Sequence, residues 1–375
     1  MRVVQLIPSL WTGGLERVAS ALTLELRDRV ERIVVATSGG EPFEAMLREE
    51  GVELVRIARP YPRPVALTRA TAGLIPLLRR ERPDVVHAHN PGAGVAAALA
   101  RRLARVDTAI VTTYHGVMPG RLGRASKVLA ATSDVVVAVA PAATEALVEL
   151  GLPRERSATV LNAVEPVPRR GAPDVRAEFG AEDAELVVTV GRYAPEKNHA
   201  LLLAALARLA DRRPRLRGLL VGVGELEDEL RAEVRRLGLD GRVTVTGERA
   251  DAIDLTAAAD VFALSSDWEG LPLAILEALA LGTPVVSTRV GGIPDAVRHE
   301  ETGLLVPPRD PEALAAALER VLDDAALREH LGRSGRAFAA AELGEAAMAE
   351  RYLEIYSSAV AARRASRRRT GASPS

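Results

Sequence analysis

The chain has 375 residues, about twice a common domain, so two domains are expected. Apolar residues make up 48% and aromatics only 3%, so the cores must be built from Leu, Val and Ala, as in α/β layers. The absence of Cys excludes a disulfide framework and any Cys-ligated metal, and it fits a reducing compartment. Net charge is −1 but unevenly spread: residues 1–170 carry +6, residues 171–362 carry −12, and residues 363–375 add five Arg. The basic half points to an anionic partner, either a membrane surface or a phosphorylated acceptor, with a merely solvated surface as the alternative. Nucleic acid is not expected, because no binding motif accompanies the charge.

In chain order, short β-rich runs alternate with Ala/Leu helices, the pattern of parallel sheets with helical crossovers. The opening run is one strand long and reaches a Gly pair at once, too short for a signal peptide, so a cytoplasmic location is expected. The most apolar window, residues 271–286, is broken by Glu277 and Pro284 and is not expected to span a bilayer. First-half strands are expected at residues 3–7, 32–37, 53–57, 84–88, 109–113, 135–139 and 158–161, with helices between them, including 15–26, 65–80, 95–103 and 142–150. Residues 165–173 are Pro-rich and charged and read as a linker. Second-half strands are expected at 186–190, 216–221, 243–246, 261–264, 284–287 and 304–306, and the chain is all helix from 311. The division is therefore an N-terminal domain 1–165, a C-terminal domain 166–345, a helix 346–362 and a disordered basic tail 363–375. In such doubly wound units ligands sit at the carboxyl ends of the strands, here in a cleft between the domains.

Polar residues cluster at those strand ends. His87 and His89 end one strand and His115 another, at places where a ligand cleft opens. A metal shared by His87 and His89 is the competing reading, and it lacks carboxylates or thiols at ligand spacing. Gly13-Gly14 joins a strand to a helix, where glycine permits close backbone approach to an anion at the helix N-terminus. Tight βα turns use Gly in any case. Gly222-Val223-Gly224 imitates a dinucleotide fingerprint but lacks its third Gly.

Two further motifs carry more. Of 49 basic residues only Lys127 and Lys197 are lysines, and Lys197 follows a strand in Gly191-Arg192-Tyr193-Ala194-Pro195-Glu196-Lys197, as a diphosphate pocket would use it. Glu269 and Glu277 flank a predicted helix start after another strand, with Gly270 and Leu271 between them. A carboxylate on the apolar face of that helix must be paired or bound. One of these acids suits the vicinal hydroxyls of a ribose and the other a sugar.

Together Gly191-Arg192…Glu196-Lys197, Glu269-x7-Glu277, Gly13-Gly14 and His115 resemble family-4 retaining glycosyltransferases (glycosyltransferase group 1), over nearly the whole chain. The resemblance implies a GT-B fold: two Rossmann-like, doubly wound parallel-sheet domains facing a central cleft, with the C-terminal helix crossing back to the first. It implies that Arg192 and Lys197 bind the donor diphosphate and that Glu277 binds the ribose. Glu269, with the backbone N–H groups of Gly270 and Leu271, would meet the transferred sugar. Gly13 and Gly14 would meet the distal phosphate, His115 would lie beside the sugar, and His87 and His89 would lie on the acceptor side. No cofactor or metal is implied, in keeping with the lack of any Asp-x-Asp. The donor is a nucleotide sugar, with UDP the commonest base and GDP or ADP as alternatives. Asn162-Ala163-Val164-Glu165 and Val139-Ala140-Pro141 depart from the family's pattern. An epimerase on the same scaffold, or a non-catalytic sugar-nucleotide binder, is the alternative function.

Overall fold

The computed structural model describes residues 1–60, 64–116, 119–165, 167–168 and 170–369. It divides into two compact units, Met1–Asn162 with Glu345–Ser375, and Ala163–Gly344. The chain thus leaves the first unit once and re-enters it at its final helix.

The first unit opens with β1 (Arg2–Leu6), α1 (Gly14–Arg27), β2 (Arg32–Thr37), α2 (Phe43–Glu49) and β3 (Glu53–Arg56). It continues with α3 (Pro64–Glu81), β4 (Val85–Ala88), α4 (Pro91–Ala104), β5 (Ala109–Tyr114) and α5 (Leu122–Thr132). It then runs through β6 (Val135–Ala138), α6 (Pro141–Glu149) and β7 (Ser157–Thr159). The strands form one parallel sheet in the order β3-β2-β1-β4-β5-β6-β7. Because side chains alternate along a strand, Val4, Leu6, Val86 and Ala88 face α3 and α4, where Leu74, Leu78, Ala93 and Ala97 complete a dry layer. Gln5 and His87 are register neighbours on the opposite face.

The second unit contains α7 (Ala172–Glu178), β8 (Glu185–Val190), α8 (His199–Ala210), β9 (Leu216–Val221), α9 (Glu227–Arg236) and β10 (Val243–Gly247). After these come α10 (Ala252–Ala258), β11 (Val261–Leu264), α11 (Leu273–Leu281), β12 (Val285–Thr288), α12 (Ile293–Ala296) and β13 (Gly303–Val306). Helices α13 (Pro311–Asp323) and α14 (Ala325–Glu342) close the unit, and α15 (Glu345–Arg369) belongs to the first. The sheet order is β10-β9-β8-β11-β12-β13, again all parallel. Val187, Leu220, Val261 and Val286 pack under α8 and α13, while Leu186, Val188 and Leu219 pack under α7 and α10. Both sheets reverse winding direction once, between β1 and β4 in the first and between β8 and β11 in the second. Those switch points are where strand-end loops diverge and leave room for a ligand.

Three expectations change. Residues 363–369 are helical, not disordered, because Arg363 pairs with Asp107 at 2.7 Å and with Asp134, and Arg364 pairs with Asp84 at 3.1 Å. Residues 370–375 lie outside the described residues. The expected linker 165–173 already contains the start of α7, and positions 166 and 169 lie outside the described residues. Helices α2 and α5, expected only as unbounded helices between strands, acquire definite ends at residues 43–49 and 122–132. Among the described residues no helix is long and apolar enough to cross a membrane.

The C-terminal helix docks through polar contacts as well as apolar ones. Tyr352 and Tyr356 are buried, and their hydroxyls meet Thr113 Oγ1 at 2.9 Å and His87 Nδ1 at 2.7 Å. His87 also meets Thr113 Oγ1 through Nε2 at 2.7 Å. Burial holds the His87 imidazole down to about 3, with the nearby His115 ring adding to the effect, so it is neutral in the folded protein. An unfolded His titrates near 6.5, so the unfolded chain binds more protons below that pH and folding stability falls with pH. The loss runs through the window between about 6.5 and 3, at up to about 1.4 kcal/mol per pH unit for this one group. Above about 6.5 the contribution is fully retained. Thermal unfolding of wild type and His87→Gln, followed by circular dichroism from about pH 7 down to 4, should show a shallower decline in the variant. Parallel curves would show that His87 does not titrate on unfolding.

Candidate active site

The second unit's switch point is built by the loops that leave β8 and β11. Tyr193, fully buried, anchors the first of these: its hydroxyl donates to the Leu220 carbonyl at 2.6 Å and its backbone N–H to Val223 O at 2.9 Å. The loop after β9 presses directly against it. A Cβ on Gly222 would lie 2.0 Å from Gly191 O, and one on Gly224 would lie 2.3 Å from Tyr193 O. The Gly-x-Gly that imitates a dinucleotide fingerprint is therefore explained by backbone-on-backbone packing.

A 3₁₀ turn, Pro195–Lys197, then leads to Asn198, which adopts the left-handed conformation (φ 44°) and caps α8 by accepting from Leu201 N. Its side-chain amide donates to Asp267 Oδ1 at 3.0 Å, and Asp267 N donates to Glu196 O at 2.8 Å. Arg309 binds the other Asp267 oxygen at 2.9 Å and, with Asn198 assisting, holds this carboxyl below the usual range against the opposing effect of burial. His199 is buried against Tyr193 and donates to Arg192 O at 3.2 Å; burial lowers its imidazole to about 4. These contacts stitch the β8 and β11 loops into one rigid frame.

Within that frame Lys197 Nζ meets Glu269 Oε1 at 2.5 Å, and Ser266 Oγ donates to the same oxygen at 2.6 Å. The two charged side chains are only 15% and 9% exposed, so the pair is partly desolvated and electrostatically strong. An ammonium has three donors, and one carboxylate oxygen does not exhaust them. Arg192 is far more exposed, at 70%, and pairs with Glu196 at 2.5 Å. The backbone of Glu269 and Gly270 is fixed from below by the loop after β12. Gly292 N donates to Gly270 O at 2.9 Å, and Gly291 has φ +54° with a would-be Cβ 1.9 Å from Glu269 O. Leu271 is buried, and α11 begins two residues later. Glu277 is buried in the middle of α11 among Leu and Ala.

In the first unit Gly13 caps α1 in extended conformation, so its dihedrals do not require glycine. The nearest neighbour of a would-be Cβ is Glu16 Oε2 at 2.4 Å, the end of a flexible side chain that accepts from Ser9 Oγ at 2.9 Å. Gly14, the first residue of α1, thus stands at a helix N-terminus that already has a carboxylate beside it. His115 follows β5 and is half-buried, with Nε2 3.5 Å from His89 Nδ1. His87 and His89, expected on the acceptor side, are instead interior residues at 0% and 1% exposure. His87 has both ring nitrogens engaged by Thr113 and Tyr356, and His89 Nε2 meets Gln5 Oε1 at 2.7 Å. They face α15, which lies over that side of the sheet, and this cover is why they do not line an opening. Sequence pattern did not single out Asn198, His199, Ser266, Asp267 or Gly291. Of these, only Asn198 announced itself, as an N-cap residue directly before an apolar helix.

Comparison with known proteins identifies the family. Residues 173–338 match the family model "Glycosyl transferases group 1", and residues 12–167 match "Glycosyltransferase Family 4". The lipopolysaccharide core biosynthesis glycosyltransferase LpsE of Rhizobium meliloti (strain 1021) is 32% identical over 352 residues, covering 92% of this chain and 96% of that protein. The chain belongs to the group 1, family 4 glycosyltransferases. Another member of similar length, the N-acetyl-alpha-D-glucosaminyl L-malate synthase of Bacillus anthracis, is 27% identical over 362 residues, 92% of this chain and 93% of that one. Among solved structures, Anabaena Alr3699/HepE in complex with UDP and glucose superposes with a TM-score of 0.84 at 24% identity, over 96% of this chain and all of that one. The fold is GT-B, and this glycosyltransferase has the two Rossmann-like parallel sheets of that class.

For a glycosyltransferase of this build, the frame around Lys197 depends on close backbone approach at Gly224. Gly224→Ala forces a methyl into contact with the Tyr193 backbone and should cost about 1–3 kcal/mol or more. The expected readout is a lower melting temperature, since the Gly191–Lys197 loop must shift. An unchanged melting temperature would mean that the two loops do not pack in this way.

Proposed function

We propose that this glycosyltransferase moves a sugar, with retention at its anomeric carbon, from a nucleoside-diphosphate donor to an acceptor hydroxyl, without a metal. The observation that carries the reading is the partly desolvated Lys197–Glu269 pair at the switch point of the second sheet. When the sugar–phosphate bond breaks, negative charge develops on the departing diphosphate and positive charge on the sugar. Lys197 and Arg192 offset the first, aided by the N-terminal end of α11 behind Gly270 and Leu271, and Glu269 offsets the second. Glu277, buried within α11, accepts hydrogen bonds from the ribose hydroxyls. Gly13 and Gly14 serve the distal phosphate, and His115 stands beside the transferred sugar. The acceptor's oxygen attacks the anomeric carbon from the face the phosphate leaves, and the phosphate oxygen takes the acceptor's proton. UDP is the first donor base to test, since Anabaena HepE is described in complex with UDP and glucose and with UDP-glucose.

A thermal-shift panel of UDP-, GDP- and ADP-sugars identifies the donor, because a ligand bound only by the folded state raises stability by mass action. Slow release of the diphosphate from the positive donor is then expected. An altered sugar instead would indicate an epimerase, and neither change a binding protein. Calorimetry on two variants checks the roles of the acids. Glu277→Gln should weaken free diphosphate and sugar nucleotide alike, by about tenfold if one charged hydrogen bond is lost. Glu269→Gln should bind free diphosphate almost normally and lose turnover. Equal weakening of free diphosphate by both would refute this division of roles.

We further propose that the first unit works against an anionic membrane surface on the cytoplasmic side. Segment 119–132 contains Arg121, Arg124 and Lys127, all exposed, and no carboxylate. Arg363 and Arg364 of α15 are committed to Asp107, Asp134 and Asp84 and are excluded from this role. The acceptor site is shaped by first-unit loops such as residues 60–64 and 117–127, which lie partly outside the described residues. Sedimentation with acidic vesicles, weakened by salt and by Arg121→Glu with Arg124→Glu, is expected. Equal recovery in the supernatant with neutral and acidic vesicles would remove the idea.

A further inference from the structure

One buried polar cluster of the first unit has no part in the transfer itself, yet it ends at His115. Its members are Gln5, His87, His89, Thr113, Tyr352 and Tyr356, all within the protein interior. Their chemistry gives every link a direction. The Gln5 amide oxygen can only accept, and it faces His89 Nε2 at 2.7 Å, so His89 carries its proton on Nε2 and leaves Nδ1 bare. That bare nitrogen accepts, so its neighbour at 3.5 Å, His115 Nε2, is the donor across a long and soft link.

On the other side Gln5 Nε2 donates to the Tyr356 hydroxyl at 3.4 Å, which leaves the phenolic proton for His87 Nδ1 at 2.7 Å. His87 then keeps its single proton on Nε2 and gives it to Thr113 Oγ1 at 2.7 Å. Thr113 in turn donates to Tyr352 at 2.9 Å. Each group receives one hydrogen bond and passes one on, in a single sense from His115 to Tyr352. This sense holds with one proton on each imidazole. Burial supplies that condition, lowering His115 to about 4, His87 to about 3 and His89 well below its ordinary value.

We propose that Gln5 and Tyr356 are positioning residues for His115, holding its imidazole as the Nε2–H tautomer so that Nδ1 is an acceptor for a hydroxyl of the transferred sugar. The sugar contact rests on the reading of His115 under Proposed function; the tautomer does not. A ring held this way is not a general acid at neutral pH. It selects for a sugar with a hydroxyl at that point, because a deoxy analogue leaves the nitrogen unpaired. The amide of Gln5 sets the sense of the whole chain: turned over, it would reverse every link and move the His115 proton to Nδ1.

The test reads the tautomer directly. The full-length protein has only six histidines, so ¹⁵N-histidine labelling with single His→Gln variants assigns each ring, and ring ¹⁵N shifts separate protonated from bare nitrogens. At neutral pH His115, His89 and His87 should each show a protonated Nε2 and a bare Nδ1. In Tyr356→Phe the His115 signals should move toward a mixture, and kcat should fall by about two- to tenfold, the worth of one hydrogen bond, with affinity for free UDP unchanged. Tyr352→Phe removes an equally buried hydroxyl from the same helix, at the terminus of the chain and past its last imidazole. It should lose similar thermal stability while keeping both the His115 tautomer and kcat. A proton on His115 Nδ1 in the unmodified protein, or a fall in kcat equal in the two tyrosine variants, overturns the proposal. Full turnover in His115→Ala with the ring pattern intact overturns the sugar contact and leaves the tautomer assignment standing.

Discussion

The pair between Lys197 and Glu269 joins two loops that sequence places 72 residues apart, and most of the second unit is arranged around it. Partial burial makes the pair strong, and it also makes it exacting, since removing either partner strands a charge at about 3–5 kcal/mol. The surroundings are correspondingly rigid. Tyr193 and His199 fix one side by hydrogen bonds to backbone carbonyls, Asn198 and Asp267 do so by a bond between their side chains, and Gly224 and Gly291 let neighbouring loops approach to contact distance. A site that stabilises developing charge works through dipoles and ions that need not reorganise, and this frame provides that condition.

The first unit solves a different problem with the same rule. Its sheet carries polar side chains at Gln5, His87 and Thr113, positions that a dry α/β layer would fill with Val or Ile. They are tolerated because α15 brings two phenols to the same face and each group finds a partner. Apolar burial would have fixed α15 as firmly. The polar solution fixes its register as well, because a slip by one residue would leave several donors and acceptors unpaired at once.

Nearly all of the strand pattern was legible in the sequence, because buried parallel strands are short runs of Val, Ile and Leu bounded by Gly, Pro and charge. The ends of helices α2 and α5 were not, and in each case their sequence is mixed and sits beside Gly- or Pro-containing turns. Lys197 and Glu269 could be picked out because a lysine is rare in this chain and an acid before an apolar helix is conspicuous. Their mutual contact could not, since it depends on how two loops meet in space. His87 and His89 were misplaced for a related reason. Their position near a strand end was read correctly, but the cover supplied by a helix some 270 residues later leaves no local trace. The basic tail misled likewise: its composition suggests disorder, and the order of residues 363–369 comes from aspartates far away in sequence.

The return of α15 to the first unit bears on how the protein is made. Residues 1–162 emerge from the ribosome long before Tyr352 and Tyr356 exist, so the polar face at Gln5, His87 and Thr113 must wait through the synthesis of the entire second unit. The second unit, contiguous from Ala163 to Gly344, has no such dependence and can close as soon as it is clear of the exit tunnel. The half that is translated first is therefore finished last. Until α15 has been made, the first sheet lacks the two phenols that complete the hydrogen bonds of Gln5, His87 and Thr113, while nothing of α15 is needed to close the contiguous second unit.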